Sequence, residues 1–262
     1  MLPPDRRLTV ATAVLLALIA AAIAAPLVAP YVPDALDLAN RRGPPSLTHW
    51  FGTDELGRDL FSRVVYGARV SLAIGLLSAA LAGMVGVAVG AAGGYAGGWL
   101  DDLLMRATDA LLAVPRLPLL MIAAAILEPT IAGIVMLVGL CGWMETARVT
   151  RAEFRSLRHQ HFVEAARAAG AQPARVIVRH LLPNAAPAAI VATTLAVGRG
   201  ILLESALSFF GVGVQPPTAS WGNMLYQAQT TMTSEPWLAV FPGLMIFVTV
   251  LSINVLGEAI SK

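Results

Sequence analysis

From Val70 to Leu100 the chain carries no charged side chain. At ~1.5 Å per residue a helix of that length outruns the ~30 Å hydrocarbon layer of a bilayer, and a water-soluble core has no place for such an element. Composition agrees, since 57% of the 262 residues are hydrophobic and only 13% are charged, against roughly 25% charged in a soluble domain. The run is rich in small residues, Gly75, Gly83, Gly86 and Gly90 among them, which let helices approach closely where lipid removes the hydrophobic drive for association. The expected fold class is all-α, a polytopic membrane protein.

Further apolar stretches bring the expectation to about six transmembrane helices. The first runs from Leu8 to Pro33 behind Arg6 and Arg7, and exceeds the ~7–15 apolar residues of a cleaved signal, so a retained helix is expected. Val70–Leu100 is the second. Asp101 to Arg116 mixes charge with apolar residues and is expected to lie at the interface or extend the third span inward, with a bend near Pro115 and Pro118. The third span ends near Glu128-Pro129, the fourth covers about Ile131 to Thr146, the fifth Asn184 to Leu203, and the sixth Trp237 to Leu256.

Charge distribution orients the set. Between Glu145 and Pro183 stand seven arginines (Arg148, Arg151, Arg155, Arg158, Arg167, Arg175, Arg179) against Glu145, Glu153 and Glu164, while Ser205 to Pro236 has no basic residue and one acid, Glu235. By the positive-inside rule the arginine-rich loop, the N-terminus and the C-terminus are expected in the cytoplasm. The only lysine is Lys262, which excludes a phosphate-binding loop of the Gly-x-x-x-x-Gly-Lys type, so ATP must be bound by another subunit if ATP drives this protein. A net charge of +2 suggests no nucleic-acid partner, and the single cysteine, Cys141, excludes an intrachain disulfide. His159-Gln160-His161 imitates a metal pair without a third ligand nearby, so no metal site is expected.

The loop itself has local grammar. Phe162 to Ala169 reads as a short helix of good formers, Gly170 fits the C′ position that asks for positive φ, and Pro173 suits the first turn of a second helix. Two short helices joined by a tight turn are expected. Ala165, Ala166 and Ala169 leave a slim surface that a groove on another protein could accept.

Glu164-Ala165-Ala166, Gly170 and then Leu182-Pro183 resemble the cytoplasmic "EAA" loop of membrane subunits of ATP-binding-cassette importers. His49-Trp50-Phe51-Gly52-Thr53-Asp54-Glu55-Leu56-Gly57-Arg58-Asp59, the run Ser205 to Pro217 and Ser220-Trp221-Gly222 narrow the resemblance to peptide and nickel permeases of the dipeptide "C" type. Physics alone reads the 49–59 segment as interfacial, with Trp50 and Phe51 as aromatic anchors. The chain departs from the family pattern at Met144-Glu145, where a proline and a small or polar residue are expected, and at Arg199, which is unusual within the fifth span.

The resemblance implies a type I ABC importer permease fold in a bacterial inner membrane. Residues 1–69 would form an N-terminal transmembrane helix with an extracytoplasmic segment, and 70–262 the importer core with a cytoplasmic coupling loop at 147–184. It also implies a homologous permease as heterodimer partner, two ABC ATPase subunits carrying ATP and magnesium, an extracytoplasmic substrate-binding protein, and no enzymatic activity or bound cofactor in this chain. Glu164, Ala165, Ala166, Gly170, Leu182 and Pro183 would couple to the ATPases, with Glu164 either pairing with a basic residue there or capping its own helix. The expected cargo is a di- or oligopeptide; a nickel chelate or glutathione-like substrate, and an ion-coupled secondary transporter, are the alternatives.

Charges within spans are costly and mark function by default. Arg199 and Glu204 lie five residues apart in the fifth span, near enough for a relaxed ion pair. They either line a pathway for charged peptide termini or snorkel to the outer headgroups. Glu128 is expected at the outer interface and Glu145 at the inner one.

Overall fold

The computed structural model describes residues 4–127 and 130–260. Glu128 and Lys262 lie outside the described residues. Among these, regular structure is helical apart from one isolated bridge between Thr53 and Asp59.

The central element is α3, Leu60–Ala96, 37 residues long. It starts ten residues before the expected Val70. Asp59 caps it, its carboxylate accepting from the Ser62 N–H (2.8 Å) and the Ser62 hydroxyl (2.7 Å). Arg63, in its first turn, is fully buried but paired, with Nη1 3.2 Å from Asp34 and 3.3 Å from the Pro33 carbonyl, and Nε 3.6 Å from Asp54. Arg63, which sequence assigned to an extramembrane segment, is thus ion-paired inside the protein, although among the described residues its Nε and Nη2 find no hydrogen bond, while Arg69 is exposed; the helix continues through both.

Before α3 come α1, Pro4–Ile23, and the short α2, Ala25–Val28. After it, α4 (Gly98–Ala113) turns by 84° at Val114-Pro115 into α5 (Arg116–Ile126), so the expected proline bend is present. Then α6 (Ile131–Leu140) breaks by 43° into α7 (Met144–Leu157), where the sequence suggested one uninterrupted span. The break falls at Cys141-Gly142-Trp143; no proline marks it, and Gly142 is the weak helix former there. The remaining helices are α8 (His161–Ala168), α9 (Pro173–Val176), α10 (Leu182–Phe209), α11 (Trp221–Ala228) and α12 (Trp237–Ile260). Among the described residues four helical runs, α1, α3, α9 through α10, and α12, are long and apolar enough to cross a membrane, or up to six when each bent pair counts as one.

Glycines set the packing of α3 on α7. A Cβ on Gly90 would stand 2.4 Å from the Ala147 carbonyl oxygen, and one on Gly94 2.6 Å from the Phe154 Cβ, so the two backbones touch along this stripe. On other sides α3 meets α6 and α10; α12 packs on α10, and α1 packs outermost on α12 and α3.

Residues 29–59 fold back on the start of α3. The charged side chains of this segment pair with each other: Arg58 Nε is 2.7 Å from Asp54, and His49 Nδ1 2.9 Å from Asp59. Phe51, expected as a lipid anchor, instead stacks on Phe241 of α12 at 3.8 Å, while Trp50 stays exposed and meets Phe61 edge-on. The stretch 205–236, expected as a loop, gives its first five residues to α10 and includes α11. That helix opens with a capping box in which Ser220 and Asn223 bond each other's backbone N–H groups.

Candidate functional site

At one end of the bundle the expected pair of short helices forms a hairpin. α8 ends in a Schellman motif: the Gly170 N–H bonds the Arg167 carbonyl (2.9 Å), the Ala171 N–H bonds the Ala166 carbonyl (3.0 Å), and Gly170 has φ +83°. Pro173 opens α9 at its first position. α9 then runs on through a π-helical turn, Ile177–Leu181, into α10. The turn widens where it must, since Pro183 has no N–H to give the carbonyl four residues back and its ring would crowd it. The Leu182 N–H bonds the Ile177 carbonyl, and the Asn184 amide satisfies that of His180 (2.6 Å).

The hairpin is anchored at its root and bare at its tip. Val163, Val176, Leu181 and Phe154 are fully buried together with Ala185, packed by Ala91 and Tyr95 at the end of α3 and by Leu157 of α7. Val163 is the only buried residue of α8. Glu164, Ala165 and Gly170 are exposed, Ala166 is half-buried, and Phe162 shows 41% of its surface to solvent. Of the residues singled out from sequence, Glu164 to Gly170 thus share the tip. Leu182 packs into the root, and Pro183 is exposed on the first turn of α10. Glu164 makes no capping hydrogen bond in its own helix; its ion-pair neighbour is His161 at 3.9 Å.

Four of the seven arginines that signalled this loop are held within the chain. Arg151 forks onto Asp101 of α4 (2.5 and 2.7 Å), and Arg148 pairs with Asp109. Arg158 reaches the carbonyls of Gly94 and Tyr95 (3.4 Å each) at the C-terminal end of α3, and the Arg167 guanidinium lies 5.5 Å from the Tyr95 ring centre. Arg155, Arg175 and Arg179 are exposed. These arginines therefore tie α7 to α4 and the hairpin to the end of α3.

Deeper in the bundle the two span charges part company. Glu204 is fully buried where α3, α10 and α11 meet, accepting from Ser208 (2.8 Å) and Ser71 (3.1 Å). The Ser71 oxygen in turn accepts the Trp221 N–H (3.2 Å). Glu204 therefore neither faces a pathway nor snorkels; it locks three helices, and it does not pair with Arg199. Arg199 instead forms an ion pair with Glu145, whose other oxygen accepts from Arg116 Nη2 (2.8 Å). Arg116 begins α5 and Glu145 lies in the first turn of α7, so this three-residue cluster occupies the breaks of both bent spans. A carboxylate suits a helix N-terminus and a guanidinium does not, so Glu145 serves both its own helix and Arg116. Arg199 and Glu145 line a cavity of about 490 Å³ between α7 and α10, with Glu153, Asn184 and Pro187 toward the hairpin end. Sequence reasoning missed Arg116 and placed Glu145 apart from Arg199; the available signal was that Glu145 and Arg199 both depart from the family pattern.

A family model described as "Binding-protein-dependent transport system inner membrane component" matches residues 60–262. The chain is 42% identical over 224 residues to the glutathione transport system permease protein GsiD of Escherichia coli O6:K15:H31 (strain 536 / UPEC), across 86% of this chain and 74% of the relative. The protein of that name from Shigella boydii serotype 4 (strain Sb227) matches with the same identity and coverage. Among solved structures, the inward-facing MetNI methionine ABC transporter in its CY5 native crystal form superposes with a TM-score of 0.59. That match has 18% identity and covers 77% of this chain and 95% of the other.

Proposed function

Because the chain belongs to the family of binding-protein-dependent transport system inner membrane components, as an ABC importer permease of the dipeptide "C" type, we propose that it is one half of a permease pair that imports small peptides. The substrate class includes glutathione-like tripeptides, which the name of its GsiD relatives supports. The second half is a homologous permease, ATP and magnesium are held by two separate ATPase subunits, and a binding protein delivers cargo from outside. The hairpin end, with both termini, faces the cytoplasm.

The observation that carries this reading is the hairpin: a bare tip of small residues around Glu164 to Gly170 on a root of fully buried side chains. A partner that grips such a tip moves α3, α7 and α10 together, because all three pack at its root. ATPase subunits drawn together by ATP thereby switch the permease pair between two global states, and the chain performs no chemistry itself. Glu164, whose ion-pair neighbour among the described residues is His161 at 3.9 Å, is left to pair with a basic residue of the ATPase.

The test is uptake of labelled glutathione and of a labelled dipeptide into proteoliposomes holding this chain, its partner subunits and the binding protein, with and without ATP on the ATPase side. ATP-dependent accumulation is expected, and Gly170→Asp is expected to abolish it while leaving the protein in the membrane. Among the described residues, beyond its chain neighbours, no atom stands within 4 Å of a Cβ at residue 170, so within this chain the penalty is left-handed backbone, ~1–2 kcal/mol; the new charge acts on the docked partner. Full transport by Gly170→Asp, or uptake by this chain alone on an ion gradient, would refute the coupling assignment.

A further inference from the structure

The cavity between α7 and α10 has a charge pattern that runs along its depth. Pro187, Val191, Leu195 and Arg199 line it at every fourth position of α10, and Glu145, Val149 and Glu153 do the same on α7, so each helix presents one face. At the end away from the hairpin stand Arg199 and Glu145; Arg116, outside the lining, holds the other oxygen of Glu145, so the three-residue cluster carries a surplus of one positive charge. Nearer the hairpin end stands Glu153, which has no hydrogen bond or ion pair to a basic side chain among the described residues. Arg199 and Glu145 are each more than one-third exposed, at 38% and 37% of their side-chain surface, so an incoming anion can reach the arginine without unfolding anything.

We propose that this cavity is a transit subsite for a zwitterionic peptide, with the cargo's C-terminal carboxylate on Arg199 and its ammonium toward Glu153. Glu145 holds Arg199 in place of the cargo and yields it when the carboxylate arrives, remaining paired with Arg116. Planar guanidiniums recognise carboxylates in a fork geometry, which a single ammonium does not. The length also fits. Glu145 and Glu153 are eight residues apart on α7, ~12 Å at 1.5 Å per residue, and an extended peptide spans ~3.3–3.6 Å per residue, so three or four residues bridge the two ends. A volume of about 490 Å³ lies in the range of small-molecule sites, ~300–1,000 Å³. The inference rests on the proposed importer role and adds where in the membrane the peptide is held and by which ends.

The experiment is direct binding of labelled glutathione and of labelled trialanine to the nucleotide-free complex of this chain with its partner subunits in lipid nanodiscs, without the binding protein. Competition by trialanine, trialanine amide and N-acetyl-trialanine reads each end separately. Wild type is expected to prefer the free acid over the amide by about tenfold, the equivalent of ~1.4 kcal/mol, and the free amine over the acetylated peptide. Arg199→Gln is expected to erase the acid preference and keep the amine preference; Glu153→Gln, the reverse. Glu145→Gln is expected to tighten acid binding, because it removes the competing carboxylate. A purely structural cluster would instead make Arg199→Gln and Glu145→Gln move binding in the same direction, and that result overturns the proposal. So does a wild-type complex that imports peptide but shows no preference at either end. A wild-type complex that imports no peptide with ATP would instead strike at the importer reading itself.

Discussion

Replacing Val163 by alanine isolates the anchor of the hairpin from its docking face. Val163 is fully buried, packed among Phe154, Val176, Leu181 and Ala185, and no other residue of α8 is buried. The substitution removes two buried carbons, ~1.6 kcal/mol at ~0.8 kcal/mol each, and leaves a small cavity, for a total of about 2 kcal/mol. At ~1.4 kcal/mol per tenfold, the undocked population of α8 should rise roughly 30-fold. Amide hydrogen exchange of residues 161–171 in the assembled complex reads that population, and protection there should fall by the same factor while the core of α3 is unchanged. Transport per ATP hydrolysed should fall with it, because a loose hairpin moves without its bundle. Unchanged exchange at 161–171 would refute the reasoning that Val163 holds the hairpin rigid.

Phe162→Ala is the complement: with 41% of its surface exposed at the tip, it should leave exchange within the hairpin unaltered and weaken ATPase binding by ~2 kcal/mol, measured as a roughly 30-fold rise in Kd. Gly90→Ala places a methyl group 2.4 Å from the Ala147 carbonyl oxygen, and the forced separation of α3 and α7 should cost ~1–3 kcal/mol, read as a lower unfolding temperature of the purified protein. Glu204→Leu strands the hydroxyls of Ser71 and Ser208 and should destabilise by ~1–3 kcal/mol, whereas Glu204→Gln, which still offers an acceptor oxygen, should cost clearly less in the same thermal measurement.

The hairpin was legible because its signals are local. A helix of good formers followed by Gly170 and Pro173 specifies a Schellman turn and a new helix start within a dozen positions, and Pro115 marks the bend between α4 and α5 in the same way. The break between α6 and α7 was not legible, since an apolar run with Gly142 but no proline reads equally well as one span. Long-range pairing was hidden for a different reason. Arg199 was matched to Glu204, its neighbour in sequence, but its partners are Glu145 and Arg116, brought to it by two helix breaks; Glu204 finds its serines on α3 and α10 instead. The arginine count of the loop gave a direction across the membrane, yet a count does not register that Arg151 belongs to Asp101 or Arg158 to the end of α3. The early start of α3 was missed because polar residues near a span look like an interface until Arg63 is seen buried against Asp34 and Asp54.

The central claim is that the tip of the hairpin sits on an ATPase subunit. A photoreactive benzophenone side chain at position 165, on the exposed tip, and another at position 47, where Leu47 is 98% exposed in the segment beyond the other end of the bundle, test it in the assembled complex. Irradiation is expected to join position 165 to an ATPase subunit, with a yield that changes when ATP is added, and to give no ATPase adduct from position 47. Absence of any ATPase adduct from position 165 in a complex that imports peptide, or an ATPase adduct from position 47, would contradict it.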